Sequence, residues 1–210
     1  RAPWVSAIRQ LGPKHRERIA QHLFKLDAHD RYLRFGYIAN DEPIQSYVDG
    51  LDFERDDIFG IYDRRLELIA MAHLAHSIDN EFRACAEFGV SVAKSARGRG
   101  YGSKLFERAV KHARNEGVVF LFIHALSENS AMIKIATKGG ATIEQDGSQS
   151  DAYLKLPPAT FDSRMTVLVQ EQLAQANYRL KVQAKHFWNF LRELQDVRRG
   201  VQDARHKSGQ

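Results

Sequence analysis

The chain has 210 residues, of which 43% are apolar and 27% charged, as is usual for a soluble globular protein that can bury a full core. It contains no apolar run near about 18 residues and nothing that resembles a signal peptide, so we expect no transmembrane helix. The formal net charge is +5, but residues 1–156 hold 22 Lys and Arg against 21 Asp and Glu, so nucleic acid is an unlikely partner for this main body.

The N-terminal third of the chain alternates between strand and helix signals. "PWVSAIRQ" indicates a short strand, and an amphipathic helix begins near Pro13. "DAHDRYLRFG" is interpreted as a connection, and "DEPIQSYVDGL" as a second short helix that Gly50 closes. Three strands follow, in "DIFGIYD", "LELIAMAHLA" and "RACAEFGVSVA", with a hairpin predicted at Asp63-Arg64-Arg65 between the first two.

The middle of the chain has the pattern of a βαβ unit. A helix is predicted from Gly102 to Asn115, and "VVFLFIHAL" after it is typical of a strand buried on both faces. "ENSAMIKIATKGG" predicts another helix, and "ATIEQ" and "DAYLKL" a closing hairpin. The result is a mixed α/β sheet in which the glycine-rich "ARGRGYG" is the turn between a strand and a helix, a position that anionic ligands favour.

Three phosphate-binding motifs compete for this glycine stretch. A Walker loop needs a glycine before Lys104, where the chain has Ser103, and a dinucleotide fingerprint also fails at Ser103. The pattern that fits is Arg/Gln-x-x-Gly-x-Gly, formed by Arg97, Gly100 and Gly102. This pattern resembles the acyl-CoA pyrophosphate loop of the GNAT acetyltransferases.

The resemblance to the GNAT family extends over roughly residues 3–156. "AEFGVSVAKSARGRGYGSKLFERAVKHA" is similar to the family's central strand, loop and helix, and "LSENSAMIKIATKGGATIE" to its second signature. "DRYLRFG" and the spacing from Glu87 to Arg97 resemble the bacterial GNAT domains that acetylate protein lysines. The resemblance implies a GNAT α/β fold, with a mixed, mostly antiparallel central sheet around a βαβ acyl-CoA-binding core.

The resemblance also implies acetyl-CoA as acyl donor, without a metal. Free amides at the start of the helix can hold the pyrophosphate, and glycines let it approach. Asn129 matches the family residue that contacts the pantetheine arm, although capping its helix is an alternative role. The amide of Val90 or Ser91 would polarise the thioester carbonyl, and Gly89 would permit a bend. The predicted cofactor-binding residues are Val90, Ser91, Val92, Arg97, Gly98, Arg99, Gly100, Tyr101, Gly102 and Asn129.

Glu87 is the predicted general base. Phe88, Val90 and Val92 alternate onto one face of their strand and Cys85, Glu87 and Gly89 onto the other, and Glu87 falls where the lysine-acetylating relatives place their base. An amine must lose its proton before it attacks, and a nearby carboxylate can accept it. An ordinary solvated glutamate is the alternative.

The chain departs from the family at the general acid. Many GNATs carry a Tyr seven residues after the signature Asn, where this chain has Ala136. His124, at the end of the buried strand, and Tyr153 are the predicted substitutes that would protonate the leaving thiolate. A thiolate can also leave with modest help, because its pKa is only about 8.5.

Other chemistry-bearing residues have weaker functional cases. Cys85, the one cysteine of the chain, has no neighbouring His and is interpreted as a small buried residue, and the lack of a second cysteine favours a cytoplasmic setting. His73 and His76 fall on opposite faces of a strand, which argues against shared metal ligation. Tyr32 and Phe35 either line the acceptor site or pack in the interior.

Residues 157–210 form a separate predicted extension. They contain 9 Lys and Arg against 5 Asp and Glu, and apolar residues recur at helical spacing from Val169 to Leu194. We expect one or two amphipathic helices, followed by a basic end. Their apolar stripe can pack on the main body, pair with a second copy of the chain or bind a different protein, and we favour the homodimer.

The sequence therefore predicts an N-acetyltransferase that moves an acetyl group from acetyl-CoA to a primary amine in a ternary complex. The acceptor is a protein lysine or a small molecule. The alternative is a catalytically silent CoA-binding sensor or interaction protein, which the missing Tyr and the large interaction helix favour.

Overall fold

The computed structural model describes residues 7–77, 85–147 and 149–156. In these ranges seven strands form one sheet, in the order β1-β2-β3-β4-β5-β7-β6. The strands are β1 Ile8–Leu11, β2 Asp57–Tyr62, β3 Leu68–His76, β4 Cys85–Val92, β5 Phe120–Leu126, β6 Thr142–Asp146 and β7 Gln149–Lys155. The helices are α1 Arg16–Phe24, α2 Ala28–Phe35, α3 Asp41–Asp49, α4 Tyr101–Asn115 and α5 Ser130–Lys138. Short 3₁₀ turns precede α1 and α4, at Pro13–His15 and Lys94–Ala96.

The strand pairing confirms the predicted fold class. β4 and β5 are parallel, and α4 connects them as the helix of a βαβ unit. The other neighbouring strands pair antiparallel. The sheet is therefore mixed and mostly antiparallel, and the glycine stretch is the turn that enters α4.

β4 and β5 separate part-way along their length. Their paired positions run from Cys85 with Phe120 to Glu87 with Phe122. Beyond Glu87, β4 continues alongside β3 as far as Val92, while β5 continues alongside β7. A wedge therefore opens between the two strands towards the glycine turn.

Helices cover both faces of the sheet. On one face, side chains of α4 such as Leu105 and Phe106 are buried against Phe88 of β4. On the other, α1 and α3 bury Leu23 and Ile44 in a second cluster. Each cluster collects apolar side chains that alternate along the strands, so both faces of the sheet are removed from water.

The prediction for residues 27–36 was wrong, because this segment contains helix α2 and not a simple connection. The Asp27 side chain caps the helix by accepting from the amide of Asp30 at 2.9 Å, and Gly36 ends it in the left-handed region at φ 79°. Arg31 donates to the carbonyls of Phe24, Leu26 and Ala39. No apolar residue of α2 is fully buried; Asp30 is its one buried residue in the described chain, and caps and polar contacts help to hold the helix.

Other predictions concern the hairpin and the chain's extension. The hairpin between β2 and β3 is confirmed, and the Asp63 carboxylate accepts from the amides of Arg65 and Glu67. The predicted extension 157–210, with its dimer contact and basic end, lies outside the described residues. Within the described ranges, no helix has the length and apolar character needed to cross a membrane.

Candidate active site

A cleft of about 440 Å³ lies where β4 and β5 diverge. Its walls come from α2, the last residues of β4, the glycine turn, the start of α4 and helix α5. The predicted cofactor-binding residues that line it are Val90, Ser91, Val92, Arg97, Gly98, Gly100, Tyr101, Gly102 and Asn129. Among the described side chains, those of Arg99, Glu87 and Tyr153 do not line it.

The glycine turn contains two positions whose backbone angles would strain any residue other than glycine. Gly98 and Gly100 have φ angles of +75° and +76°, in the left-handed region. A Cβ at either position would meet no atom within 4 Å, so the space beside them is open. The two glycines therefore adopt a turn that would strain other residues, and they leave the backbone accessible at the edge of the cleft.

The backbone at the start of α4 offers hydrogen-bond donors. The first helical bond runs from the amide of Lys104 to the carbonyl of Gly100, at 3.0 Å, so the amides of the turn before it have no helical partner. The amide of Arg97 donates to the carbonyl of Lys94 at 3.4 Å, so the available run begins at Gly98 and not, as expected, at Arg97. The first turn holds no acidic residue, which suits a bound anion.

Two ion pairs fasten the turn to α2. Arg97 Nη2 lies 2.5 Å from Oδ1 of the buried Asp30, and Lys94 Nζ lies 3.5 Å from Asp27 Oδ2. The hydrogen bond from the amide of Asp30, with help from Lys94, lowers the pKa of the Asp27 carboxyl. The Arg97 side chain thus holds the loop in place, and α2 becomes part of the cleft wall.

Asn129 both lines the cleft and caps α5. Its Oδ1 accepts from the amide of Met132 at 3.2 Å, which leaves the side-chain NH2 group for another acceptor. Ser127 does not cap this helix, because its hydroxyl bonds to that of Ser150 at 3.0 Å. Ala136, where many relatives carry Tyr, is completely buried in the core and carries no acid.

Hydrogen bonds at the two ends of β4 show which amides face the wedge. The amide of Ala93 donates to Ile69 and the carbonyl of Cys85 accepts from Ser77, so odd-numbered residues of β4 direct their polar groups towards β3. The β3–β4 register is unbroken from Ala70–Val92 to His76–Ala86. Amides alternate along a strand, so that of Val90 faces the wedge where β5 has diverged. This pairing contains no β-bulge at Gly89.

A buried histidine, His22, which no local motif marks, contacts the cleft wall. His22 of α1 is 3% exposed; its Nδ1 lies 2.9 Å from the carbonyl of Leu68 and its Nε2 lies 2.8 Å from Ser91 Oγ. Since a carbonyl can only accept, Nδ1 carries the proton and the Ser91 hydroxyl donates to Nε2. Burial lowers the pKa of His22 to about 4, so the ring stays neutral.

This histidine predicts a loss of stability in mild acid. The pKa is about 4 in the folded chain against an ordinary 6.5. The contribution is therefore complete above pH 6.5 and is lost as the pH falls to about 4, by about 3 kcal/mol in total. Urea unfolding at a series of pH values measures it. We expect His22→Gln to flatten this step, whereas parallel profiles for the two proteins would refute the assignment.

Glu87 lies on the face of the sheet that α1 and α3 cover. It pairs with Ala75 of β3 and with Phe122 of β5, and Phe122 pairs in turn with Tyr153 of β7. Within the described ranges its carboxylate makes no hydrogen bond or ion pair. The carboxylate is thus available to a ligand, at the last position where β4 still pairs with β5 before the wedge opens.

The two predicted general acids lie further along this face. Tyr153 is separated from Glu87 by the intervening Phe122, and its ring packs on that of Phe120 with centroids 6.3 Å apart. His124 pairs with Asp151 on β7, and its side chain lies outside the described part of the chain. Tyr153 is therefore offset from the cleft lining, and the roles of both residues stay predictions.

Tyr32 and Phe35 belong to α2 but do not line the cleft. A hydrogen bond to Glu128 raises the pKa of Tyr32, so this side chain links α2 to the loop before α5. Phe35 packs edge-on against the ring of Tyr47, with centroids 5.7 Å apart. The packing role that the sequence allowed is the one observed for Phe35.

Cys85 is a buried thiol at the start of β4. It is 5% exposed, and burial raises its pKa to about 11. A thiol in this state is a poor nucleophile, as its interpretation as a small buried residue requires.

We therefore expect the native chain to resist alkylation. The reaction with iodoacetamide at pH 8 should be at least about 100-fold slower than in urea, because both the thiolate fraction and access are low. Mass spectrometry reads this directly, since the chain has one cysteine. Rapid alkylation of Cys85 in the native protein that acetyl-CoA prevents would instead place the thiol at the cleft.

A chain of four polar side chains, also missed by the sequence analysis, runs beside the cleft. Arg34 Nη2 donates to Tyr47 Oη at 3.2 Å, and the Tyr47 hydroxyl donates to His73 Nδ1 at 2.7 Å. His73 Nε2 donates to Asp56 Oδ2 at 2.9 Å. Burial raises the pKa of Asp56, but hydrogen bonds from Arg55 and His73 outweigh it and hold the pKa well below its usual range.

The histidines of β3 have separate partners, in agreement with their predicted placement on opposite faces. His73 contacts Asp56, whereas His76 Nε2 lies 2.9 Å from Asp57 Oδ2. Asp57 Oδ1 also lies 3.1 Å from Nε2 of His112. In the described residues no group of three or more His, Cys, Asp or Glu side chains has the arrangement of a metal site.

Comparison with protein families identifies the class of this chain. The model of the acetyltransferase (GNAT) family matches residues 20–140. The chain therefore belongs to the GNAT family of acetyltransferases, as the glycine loop and the Asn129 signature predicted. A search of curated protein sequences gave no match.

Solved structures show the same fold. The GNAT domain of Streptomyces lividans PAT ("S. lividans PAT") superposes with a TM-score of 0.61 at 19% identity, over 71% of this chain and 89% of that one. The putative acetyltransferase yncA from Salmonella typhimurium, solved with acetyl-CoA, gives 0.57 at 16%, over 75% and 98%. Spermidine N-acetyltransferase from Vibrio cholerae, solved with CoA and spermine, gives 0.57 at 18%, over 71% and 95%.

Proposed function

We propose that this protein transfers an acetyl group from acetyl-CoA directly to a primary amine. The observation that carries the proposal is the cleft at the β4–β5 wedge, with the open glycine turn at one end and Glu87 beside it. The Glu87 carboxylate has no hydrogen-bond or ion-pair partner among the described residues. Membership of the GNAT family supports acetyl-CoA as donor. The amides of Gly98, Gly100 and Gly102 would hold the pyrophosphate, and the Asn129 side-chain amide would hold the pantetheine arm.

The reaction follows from the groups along β4. The amide of Val90 would donate to the thioester carbonyl, and the neutral amine nitrogen attacks the carbonyl carbon. Glu87 accepts the amine's proton, the C–N bond forms and the C–S bond breaks, and CoA leaves as a thiolate. Tyr153 and His124 are the candidates to protonate that thiolate, and water is the alternative source.

The acceptor is a protein lysine or a small amine, because both carry the primary amine that this reaction needs. Release of the CoA thiol tests the proposal, with acetyl-CoA and a panel that holds a lysine peptide, a polyamine and free amino acids. We expect amine-dependent release from at least one class. Binding of acetyl-CoA without release from any amine would favour the silent sensor instead.

A further inference from the structure

A guanidinium without an anionic partner lies in the wall of the cleft. Arg34, in the last turn of α2, lines the cleft. Among the residues that the structure describes, its guanidinium contacts the Tyr47 hydroxyl and the rings of Phe35 and Tyr47, but no carboxylate. A partly buried cation that forms no ion pair with a described carboxylate keeps donors for a ligand, and Arg34 has this state in the lining of the cleft.

Arg34 is held at one place on the sheet. A Cβ at Gly89 would lie 2.8 Å from Arg34 Nη2 and 2.9 Å from its Cζ, so the guanidinium occupies the space of a side chain at that position. Gly89 and Glu87 lie on the same face of β4, two residues apart, which is about 6.6 Å along a strand. The Arg34 guanidinium therefore lies over the strand position two residues from Glu87, on the same face of β4.

The polar chain behind Arg34 orients the guanidinium. Asp56 is 4% exposed and accepts from Arg55, from His73 and from the amide of His76. Burial and the charges of Asp56 and Glu87 raise the pKa of Tyr47, which keeps the proton that the hydroxyl donates to His73. The hydroxyl oxygen is then left to accept from Arg34, and the rest of the fork is free for a ligand.

We propose that Arg34 binds a carboxylate of the amine acceptor, so that the acceptor is a free α-amino acid. This assignment rests on the acetyl transfer proposed above. In an α-amino acid the amine and the carboxylate are held on one carbon, which matches Glu87 for the amine beside Arg34 for the carboxylate. Arginine is suited to this role, because its planar fork binds a carboxylate through two hydrogen bonds.

The test compares each L-amino acid with its carboxamide as acceptors for acetyl-CoA. The carboxamide keeps the amine and the side chain and removes the negative charge. Its amine also loses a proton more readily, so a preference for the amino acid cannot come from amine reactivity. We expect kcat/KM of wild type to favour the best amino acid over its amide by about tenfold or more.

Substitution of Arg34 should act selectively. Arg34→Gln should raise KM for the amino acid by about ten- to a hundredfold with a small change in kcat, and should leave the amide's KM nearly unchanged. Arg34→Lys keeps the charge without the fork and should fall between. Circular dichroism melts of both variants establish that α2 and its surroundings still fold.

Other outcomes separate this inference from the proposed function. Equal use of amino acid and amide, equal damage to both by Arg34→Gln, or a lysine peptide as the best acceptor would overturn the inference while acetyl transfer stands. Faster, Arg34-dependent use of succinyl-CoA than of acetyl-CoA would put the carboxylate on the donor and also overturn it. No transfer to any amine, including the amides and the peptide, would be a failure of the proposed function itself.

Discussion

Replacement of Glu87 by Gln is expected to slow acetyl transfer by about 10²- to 10⁴-fold, the usual contribution of a general base. The side chain keeps its size but can no longer accept the proton of the attacking amine. Binding of acetyl-CoA should be preserved, because Glu87 does not line the cleft. The residual rate should rise with pH, since the variant can use only amines that have already lost their proton. Initial rates over a pH series, with calorimetry of acetyl-CoA binding, measure both effects.

A second Glu→Gln substitution controls for the change in charge. Glu107 is exposed on α4, on the opposite side of the sheet, and is in neither the cleft lining nor its predicted machinery. Glu107→Gln should therefore have nearly wild-type rates. Equal rates for wild type and Glu87→Gln would remove Glu87 as the base, and equal losses in both variants would mean that the effect is not specific.

Gly100→Trp is expected to abolish acetyl-CoA binding. The side chain would enter the open space beside the turn, where the pyrophosphate is proposed to lie. Binding to the native state alone stabilises a protein by about 2.7 kcal/mol at a ligand concentration about 100 times Kd. Acetyl-CoA should therefore raise the melting temperature of wild type by several degrees and leave that of Gly100→Trp unchanged.

Gly117 provides the matched control for backbone strain. It has φ +80°, close to the +76° of Gly100, and a Cβ there also meets no atom within 4 Å. It follows the C-terminal end of α4, outside the cleft lining. Gly117→Trp should thus lower stability by a similar amount while it keeps the acetyl-CoA shift. If both variants lose the melting-temperature shift, or both keep it, the turn at Gly100 is not the specific binding site for acetyl-CoA.

The sequence was informative where local rules decide the structure. The apolar run of β5, the amphipathic α4 and the glycine turn between strand and helix are each specified by neighbours along the chain. Helix α2 was missed because it is short and its signals are a cap at Asp27 and a left-handed Gly36, while Asp30 is its one buried residue in the described chain. The helical periodicity of apolar residues indicates a buried helix face, so it is a weak signal for a short helix that caps hold in place.

The site was predictable where a motif defines it and unpredictable where the fold assembles it. The glycine loop and Asn129 are contiguous patterns, and both fall at the cleft. The contact of His22 with Ser91 joins positions 69 residues apart, and nothing local marks either partner. Gly89 was expected to permit a bend, whereas the contact that the structure shows there is with the Arg34 guanidinium, which occupies the space that a side chain would fill. Such roles depend on the packing of α2 on the sheet.

The most direct test of the central claim is to follow a deuterated acetyl group from acetyl-CoA by mass spectrometry, with wild-type protein and the acceptor panel. Thiol release alone does not distinguish transfer from hydrolysis, whereas the label shows where the acetyl group goes. We predict that the label appears on the nitrogen of a primary amine in proportion to the CoA formed. Label found only in acetate, or retained in acetyl-CoA with every acceptor, would contradict the assignment of this protein as an amine acetyltransferase.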